Sequence, residues 1–272
     1  MNSHFYVFDG GHFVSSELTR GPWDADAQHA GPPAALLARA LERCPSPADP
    51  EAPWQIGRVT FEILRSVPIA PLTVSAEVVR PGRSVELLSA SLADERGELI
   101  RASAWRIAAR GVDLPAGLAS EDPTSPARGE APLPGPAAGA EEAFFATGHD
   151  VGYHTGMEYR FLRGRFLEPG PATVWMRMRH PLVAGERPSP LQRVLIAADS
   201  GNGVSATLDL SRYLFINVDL SVHLHRLPAG EWVCLEAVTI PEPTGVGLAD
   251  TAVHDERGPL GRALQTLLVR ER

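Results

Sequence analysis

The feature that most constrains this chain is an internal repeat. Asp94-Glu95-Arg96-Gly97 recurs as Asp255-Glu256-Arg257-Gly258, a shift of 161 positions from 94 to 255. Each copy of the turn is followed by a leucine, by an Arg-Ala pair (Arg101-Ala102 and Arg262-Ala263) and by a last apolar run. Upstream, Val67-Pro68 precedes Leu72 to Val79, and Leu227-Pro228 precedes Trp232 to Val238; the two prolines, 68 and 228, are 160 positions apart. Landmarks at nearly one offset argue for duplication of a single folding unit.

Between the copies lies 112–142, rich in Pro, Ala and Gly, which supports neither a helix nor a strand ladder. It reads as a linker separating an N-terminal unit, 1–111, from a C-terminal unit, 143–272. Each unit opens with a loop and one helix. Pro32-Pro33 starts the first, continuing through Arg43, and Pro188-Ser189-Pro190 starts the second, Leu191 to Ala198. Strands follow. Arg58 to Arg65 alternates roughly, whereas Leu214, Ile216, Val218, Leu220, Val222 and Leu224 alternate as one continuous strand. Two more strands per unit meet at the Asp-Glu-Arg-Gly turn. One helix and a long antiparallel meander give an α+β unit, with the helix filling a curved sheet.

Composition removes several functions. The formal net charge of -8 disfavours a nucleic-acid partner. The sequence has no lysine, which removes phosphate-loop and Schiff-base chemistry. Cys44 and Cys234 have neither metal-ligand spacing nor a disulfide pattern. No run approaches the ~18 apolar residues of a membrane span, and no signal peptide is evident, so a cytoplasmic protein is expected. No cofactor motif appears: Gly201-Asn202-Gly203 lacks the strand and βαβ context of a dinucleotide fingerprint, and there is no Gly-x-Ser-x-Gly elbow.

The segment Gly21-Pro22-Trp23-Asp24-Ala25-Asp26-Ala27-Gln28-His29-Ala30-Gly31-Pro32-Pro33 and the strand Arg58 to Pro68 resemble the acyl-CoA thioesterase II-like family. The resemblance covers nearly all of the chain outside the linker. It implies a double hotdog fold, an acyl-CoA substrate and further association of copies through their sheets. It also implies a catalytic Asp at the end of the second helix, here Asp199. A polar residue at the head of the next strand matches Asn217, where the family usually has a hydroxyl residue. A Gln on the last strand matches Gln265.

Such residues suit thioester hydrolysis: Asp199 as a general base, with Asn217 and Gln265 orienting water through their amides. Backbone N–H groups of Gly31 and Ala34 at the first helix start are oxyanion candidates, and His29 is placed at the site mouth. Each residue also has a plainer reading. Asp199 is a plausible solvated helix end. Asn217, by alternation, shares a face with Asp219 and Ser221, opposite Ile216 and Val218, and taken alone is a solvent-facing strand residue. Gln265 sits on an apolar face and needs a partner. Its counterpart in the first copy is Ala104, which implies a single site in the second half. His223 and His225 share a strand face, but no third metal ligand is evident. Arg160, Arg163 and Arg165 read as a solvated face, with coenzyme A phosphates as the alternative. Two competing functions remain: an acyl-CoA hydratase, disfavoured because no His follows Asp199 on its helix, and a non-catalytic acyl-CoA or lipid-binding module.

Overall fold

The computed structural model describes residues 4–113 and 133–272. Most of the linker expected at 112–142 therefore lies outside the described residues. Its last part, from 133, is held by the second half: the Pro134 carbonyl accepts from the Trp175 indole at 2.8 Å, and Ala140 bridges to Phe161.

The N-terminal half runs β1 (Tyr6–Asp9), β2 (His12–Ser15), α1 (Gly31–Arg43), β3 (Trp54–Ile63), β4 (Pro71–Arg80), β5 (Val85–Asp94) and β6 (Gly97–Ala108). The C-terminal half runs α2 (Tyr153–Gly156), β7 (Met157–Arg163), β8 (Ala172–Met178), α3 (Pro190–Ala198), α4 (Gly201–Val204), β9 (Tyr213–Asn217), β10 (Asp219–Leu224), β11 (Val233–Pro241), β12 (Val246–Asp255) and β13 (Gly258–Glu271). One continuous antiparallel sheet joins them in the order β1-β2-β4-β5-β6-β3-β10-β13-β12-β11-β8-β7, with β9 also on β13. Two tandem hotdog units, each a helix wrapped by curved antiparallel strands, make this the α+β double hotdog that the repeat and the resemblance implied.

The repeat sets the seam. β3 pairs β10 with Thr60 opposite Ser221, Val59 opposite Val222 and Phe61 opposite Leu220. Thr60 and Ser221 are equivalent positions at the offset of the repeat, and their hydroxyls hydrogen-bond at 2.9 Å. A local twofold axis thus passes between them, the self-complementary geometry expected when a unit pairs with its own copy. The duplicated turns match in detail. Gly97 and Gly258 both take positive φ, and Asp94 and Asp255 both accept from the backbone N–H two residues on. Each Asp also holds an arginine, Arg65 or Arg226.

The helices lie against each other inside the sheet. Pro32 and Pro33 fall in the first turn of α1, where a missing N–H costs nothing, and nine of its residues, from Gly31 to Leu41, are buried. Ser189 caps α3 by accepting from the Gln192 N–H at 3.1 Å, with Pro190 at its first position. The helices run antiparallel. Glu42 near the end of α1 accepts from Ser189 and Gln192 at the start of α3, while Gly31 at the start of α1 meets Ile196 near the end of α3. A Cβ at Gly31 would stand 2.3 Å from the Ile196 carbonyl oxygen, so only glycine permits this approach. The end of α3 is thereby brought to the start of α1.

The expected single strand from Leu214 to Leu224 is broken at Val218. β10 pairs with β13 through Ser221↔Leu264, but β9 pairs through Asn217↔Leu267. Three residues, 218–220, therefore span what two residues, 265 and 266, span on β13, which is a one-residue bulge. Its geometry is pinned by the Asp219 carboxylate, which accepts from the Thr266 N–H at 2.5 Å, and by Val218 N–H on the Thr266 carbonyl at 3.0 Å. A slip of one residue reverses every side chain beyond it. Leu220, Val222 and Leu224 face the core on one side of the bulge, and Asn217 faces inward on the other, with Ile216 and Val218 exposed. The expectation that Asn217 shares a face with Ser221 is corrected accordingly.

Candidate functional site

Asp199 closes α3 as its C-terminal cap and is buried, 8% exposed. Three side chains converge on its carboxylate. Asn217 Nδ2 donates to Oδ1 at 2.9 Å, Gln265 Nε2 reaches the same oxygen at 3.3 Å, and His29 Nδ1 lies 3.0 Å from Oδ2. Each arrives from a different element: the bulged β9, the last strand β13, and the loop leading into α1. Gln265 has its amide orientation set from both ends, because Oε1 accepts from the Asn202 N–H at 3.1 Å and Nε2 also reaches the Asp199 carbonyl at 3.2 Å. A carboxylate offers about four acceptor positions. Two on Oδ1 and one on Oδ2 are engaged, leaving Oδ2 able to accept one more hydrogen bond.

His29 is the residue whose role changes most. Its ring stacks on Tyr153, with centroids 3.7 Å apart and planes within 9°. Tyr153 is fixed in turn, donating to the Ile196 carbonyl at 2.6 Å, with the Ser200 hydroxyl 2.9 Å away. Burial pushes the Tyr153 phenol far above its ordinary value, so it remains a neutral hydroxyl. The same His29 Nδ1 lies 3.1 Å from the Gly31 N–H. One nitrogen cannot both donate to Asp199 and accept from Gly31. With two amides already donating to Asp199, Nδ1–H toward Oδ2 completes a set of donors around a carboxylate, and the Gly31 N–H is then available to another acceptor.

Asp199, Asn217, Gln265, His29 and Gly31 are therefore brought together. Ala34 is not among the available donors. Its N–H binds the Ala30 carbonyl at 2.9 Å, because the first turn of α1 begins one residue earlier than the prolines suggest. Tyr153, Ser200 and Asn202 escaped the sequence reading. Tyr153 reaches the site from a distant part of the chain, and Ser200 and Asn202, which closely follow Asp199, are tied to it only through the distant partners Tyr153 and Gln265. Arg160 pairs with Glu158 at 3.1 Å and Arg165 with Glu142 at 3.6 Å. His223 and His225 line an outer cleft of about 410 Å³ that also contains His254 and Arg262; no metal-ligating cluster of three or more His, Cys, Asp or Glu occurs among the described residues.

The corresponding end of α1 is built differently. Ala104, the counterpart of Gln265, is fully buried. Near Cys44, the cap of α1, Arg106 and Glu86 form a buried ion pair at 2.5 Å; Arg106 also donates to the Cys44 carbonyl, and Glu86 accepts from Ser46 at 2.8 Å. Burial alone would raise the Glu86 carboxyl. Hydrogen bonds from Arg106 and Ser46 and the adjacent guanidinium charge outweigh it and hold the group below the usual carboxylate range.

Residues 19–107 match the family model of the acyl-CoA thioesterase N-terminal domain, and residues 128–269 match that of the C-terminal domain. The chain belongs to the acyl-CoA thioesterase family. No curated protein sequence matches this thioesterase. Its fold is shared with a putative thioesterase II from Thermobifida fusca at 16% identity, covering 98% of this chain and 96% of that one, with a TM-score of 0.70. A hot dog fold protein of unknown function from Alicyclobacillus acidocaldarius is 17% identical, covering 98% and 95%, with a TM-score of 0.69. An acyl-CoA thioesterase II from Mycobacterium marinum is 14% identical, covering 98% and 94%, with a TM-score of 0.59. No helix among the described residues is long and apolar enough to cross a membrane.

Proposed function

We propose that the chain hydrolyses acyl-CoA thioesters to a free acid and coenzyme A, with Asp199 activating water. The observation that carries this reading is the convergence of Asn217, Gln265 and His29 on one buried carboxylate. Asp199 Oδ2 accepts a hydrogen bond from the water and takes its proton as the water oxygen bonds to the thioester carbon. Asn217 and Gln265 hold the carboxylate in one orientation, which lowers the reorganisation required at the moment of attack. The carbonyl oxygen gains charge, and the Gly31 N–H at the start of α1, released from His29 when Nδ1 is protonated, is the donor suited to receive it. Collapse of the tetrahedral adduct breaks the carbon–sulfur bond. The thiolate leaves and recovers a proton, giving coenzyme A and the acid. No covalent enzyme intermediate enters this sequence.

The test is thiol release from a panel of acyl-CoAs, wild type against Asp199→Ala. The variant is expected to lose about 10²- to 10⁴-fold in kcat with its fold retained; equal rates would sink the mechanism. A second reading, hydration of an enoyl-CoA, gains one observation. A histidine does stand beside Asp199, brought from the other half of the chain. Formation of a 3-hydroxyacyl-CoA without thiol release would favour it.

A further inference from the structure

His29 reaches Asp199 from a loop of the N-terminal half, and its backbone fixes only part of its geometry. The His29 N–H donates to the Thr19 carbonyl at 2.8 Å, which places the Cα. The torsion that sets the imidazole plane is broad and two-fold, so the plane needs an outside constraint. Asp199 does not supply it, because an sp² oxygen accepts over a broad range of directions.

The constraint comes from Tyr153, in the C-terminal half. Its ring covers one face of the imidazole, with centroids 3.7 Å apart and planes within 9°. The tyrosine is 2% exposed and is held at both ends. Its N–H donates to the Arg20 carbonyl at 2.9 Å, so adjacent carbonyls, those of Thr19 and Arg20, set the backbones of the two stacked residues. Its hydroxyl donates to the Ile196 carbonyl at 2.6 Å. A phenol has one hydrogen to give, so Ser200, 2.9 Å away, donates to the Tyr153 oxygen. The Ile196 carbonyl needs this donor. The Ser200 N–H, which a continuing helix would direct to Ile196, donates to Ala197 instead, at 2.9 Å. Ile196 and Ser200 lie on either side of Asp199 in the chain. Tyr153 is therefore anchored to the same helix end that carries the carboxylate.

Resting on the proposed hydrolysis, we infer that Tyr153 is a positioning residue that acts through His29. Its ring confines the imidazole to the plane in which Nδ1 faces Asp199 Oδ2. The stack alone allows two orientations related by a half-turn, and the carboxylate selects the one with nitrogen toward it. With Nδ1–H committed to Asp199, that nitrogen no longer accepts from the Gly31 N–H, which stays available to the substrate oxygen. The two parts of Tyr153 have separable duties: the ring orients His29, and the hydroxyl satisfies the end of α3.

The experiment compares wild type, Tyr153→Phe and Tyr153→Leu, each also combined with His29→Ala. Thiol release is measured on the folded fraction, with the acyl-CoA that wild type cleaves fastest. Tyr153→Leu removes the ring and should lower kcat about 10- to 100-fold while KM changes less than about threefold. Tyr153→Phe keeps the ring and should bring kcat back to within about threefold of wild type, even though its Tm falls because the Ile196 carbonyl loses its donor. In the His29→Ala background, Tyr153→Leu should lower kcat by no more than about twofold, since residues acting as a unit are not additive. Nitrogen NMR of the histidines, with His29→Ala assigning the signal, reads the orientation directly. The His29 proton should sit on Nδ1 in wild type and Tyr153→Phe, and should exchange between the two ring nitrogens in Tyr153→Leu. Equal losses of kcat in Tyr153→Phe and Tyr153→Leu, additive losses with His29→Ala, or an unchanged His29 signal in Tyr153→Leu overturns the proposal. If wild type cleaves no thioester, the hydrolysis reading fails by itself and NMR still decides the positioning: a His29 signal altered in Tyr153→Leu alone supports it, and one unchanged in Tyr153→Leu overturns it.

Discussion

Replacing Gly31 by alanine perturbs the site through packing alone, with no change of charge or hydrogen-bonding groups. The new Cβ would lie 2.3 Å from the Ile196 carbonyl oxygen and 3.1 Å from His29 Nδ1. Neither neighbour can yield cheaply. The first is helix backbone that also accepts the Tyr153 hydroxyl, and the second is stacked on Tyr153 and paired with Asp199. Side-chain carbons almost never approach closer than 3.0 Å, so α1 must separate from α3 by at least about 0.7 Å. Overpacking of this kind costs about 1–3 kcal/mol. At roughly 2–4 °C per kcal/mol for a chain near this size, Tm should fall by about 2–12 °C. The same displacement moves His29 and the Gly31 N–H away from Asp199. A misplacement approaching 1 Å at a reacting centre costs up to about 10²-fold, so kcat/KM should fall about 10- to 100-fold while substrate affinity changes less. Differential scanning fluorimetry and thiol release, both on the folded fraction, read the two effects. An unchanged Tm would refute the packing analysis. A lowered Tm with full activity would refute the dependence of the site on the junction of α1 with α3.

Asn217→Ala removes one of two amides on Asp199 Oδ1 and should reduce kcat about tenfold with Tm nearly unchanged; the contact is partly exposed and its loss leaves no apolar cavity. Gln265→Leu should cost more, about 1–3 kcal/mol in chemical denaturation, because the buried Asn202 N–H loses its acceptor, and kcat should fall with it. Glu86→Gln leaves Arg106 as a buried charge with a neutral partner and should destabilise by about 3–5 kcal/mol at neutral pH. Because the folded Glu86 carboxyl lies below its unfolded value of 4.5, the stabilisation from the pair is complete above that value and is lost as pH falls through the folded one. Tm against pH should therefore be level near neutrality and drop below about pH 4.5, with a shallower drop in Glu86→Gln; equal slopes would contradict the assignment.

Much was decided by local sequence. The repeated Asp-Glu-Arg-Gly turn encodes both hairpins, since a carboxylate two residues before a backbone N–H and a glycine at positive φ are requirements met within four residues. Proline placement encodes the helix starts, again because the constraint is local. The repeat offset relates Thr60 to Ser221, and the structure brings these equivalent positions together at the seam, as a unit pairing with its own copy requires. Comparison of the copies, Gln265 against Ala104, pointed to the half that contributes Asp199, Asn217 and Gln265, while His29 and Gly31 come from the other half.

What only the tertiary structure decided is how that cluster is made. Asn217 reads as solvent-facing by strict alternation, and a single extra residue between Asn217 and Ser221 turns it inward. A bulge depends on register against a partner strand, which the strand's own periodicity does not contain. His29 and Asp199 lie 170 positions apart, from 29 to 199, and meet because antiparallel helices set the start of one against the end of the other, with Gly31 allowing the approach. That contact is a property of two units packed together. Neither copy carries it alone, so no pattern within either one could reveal it.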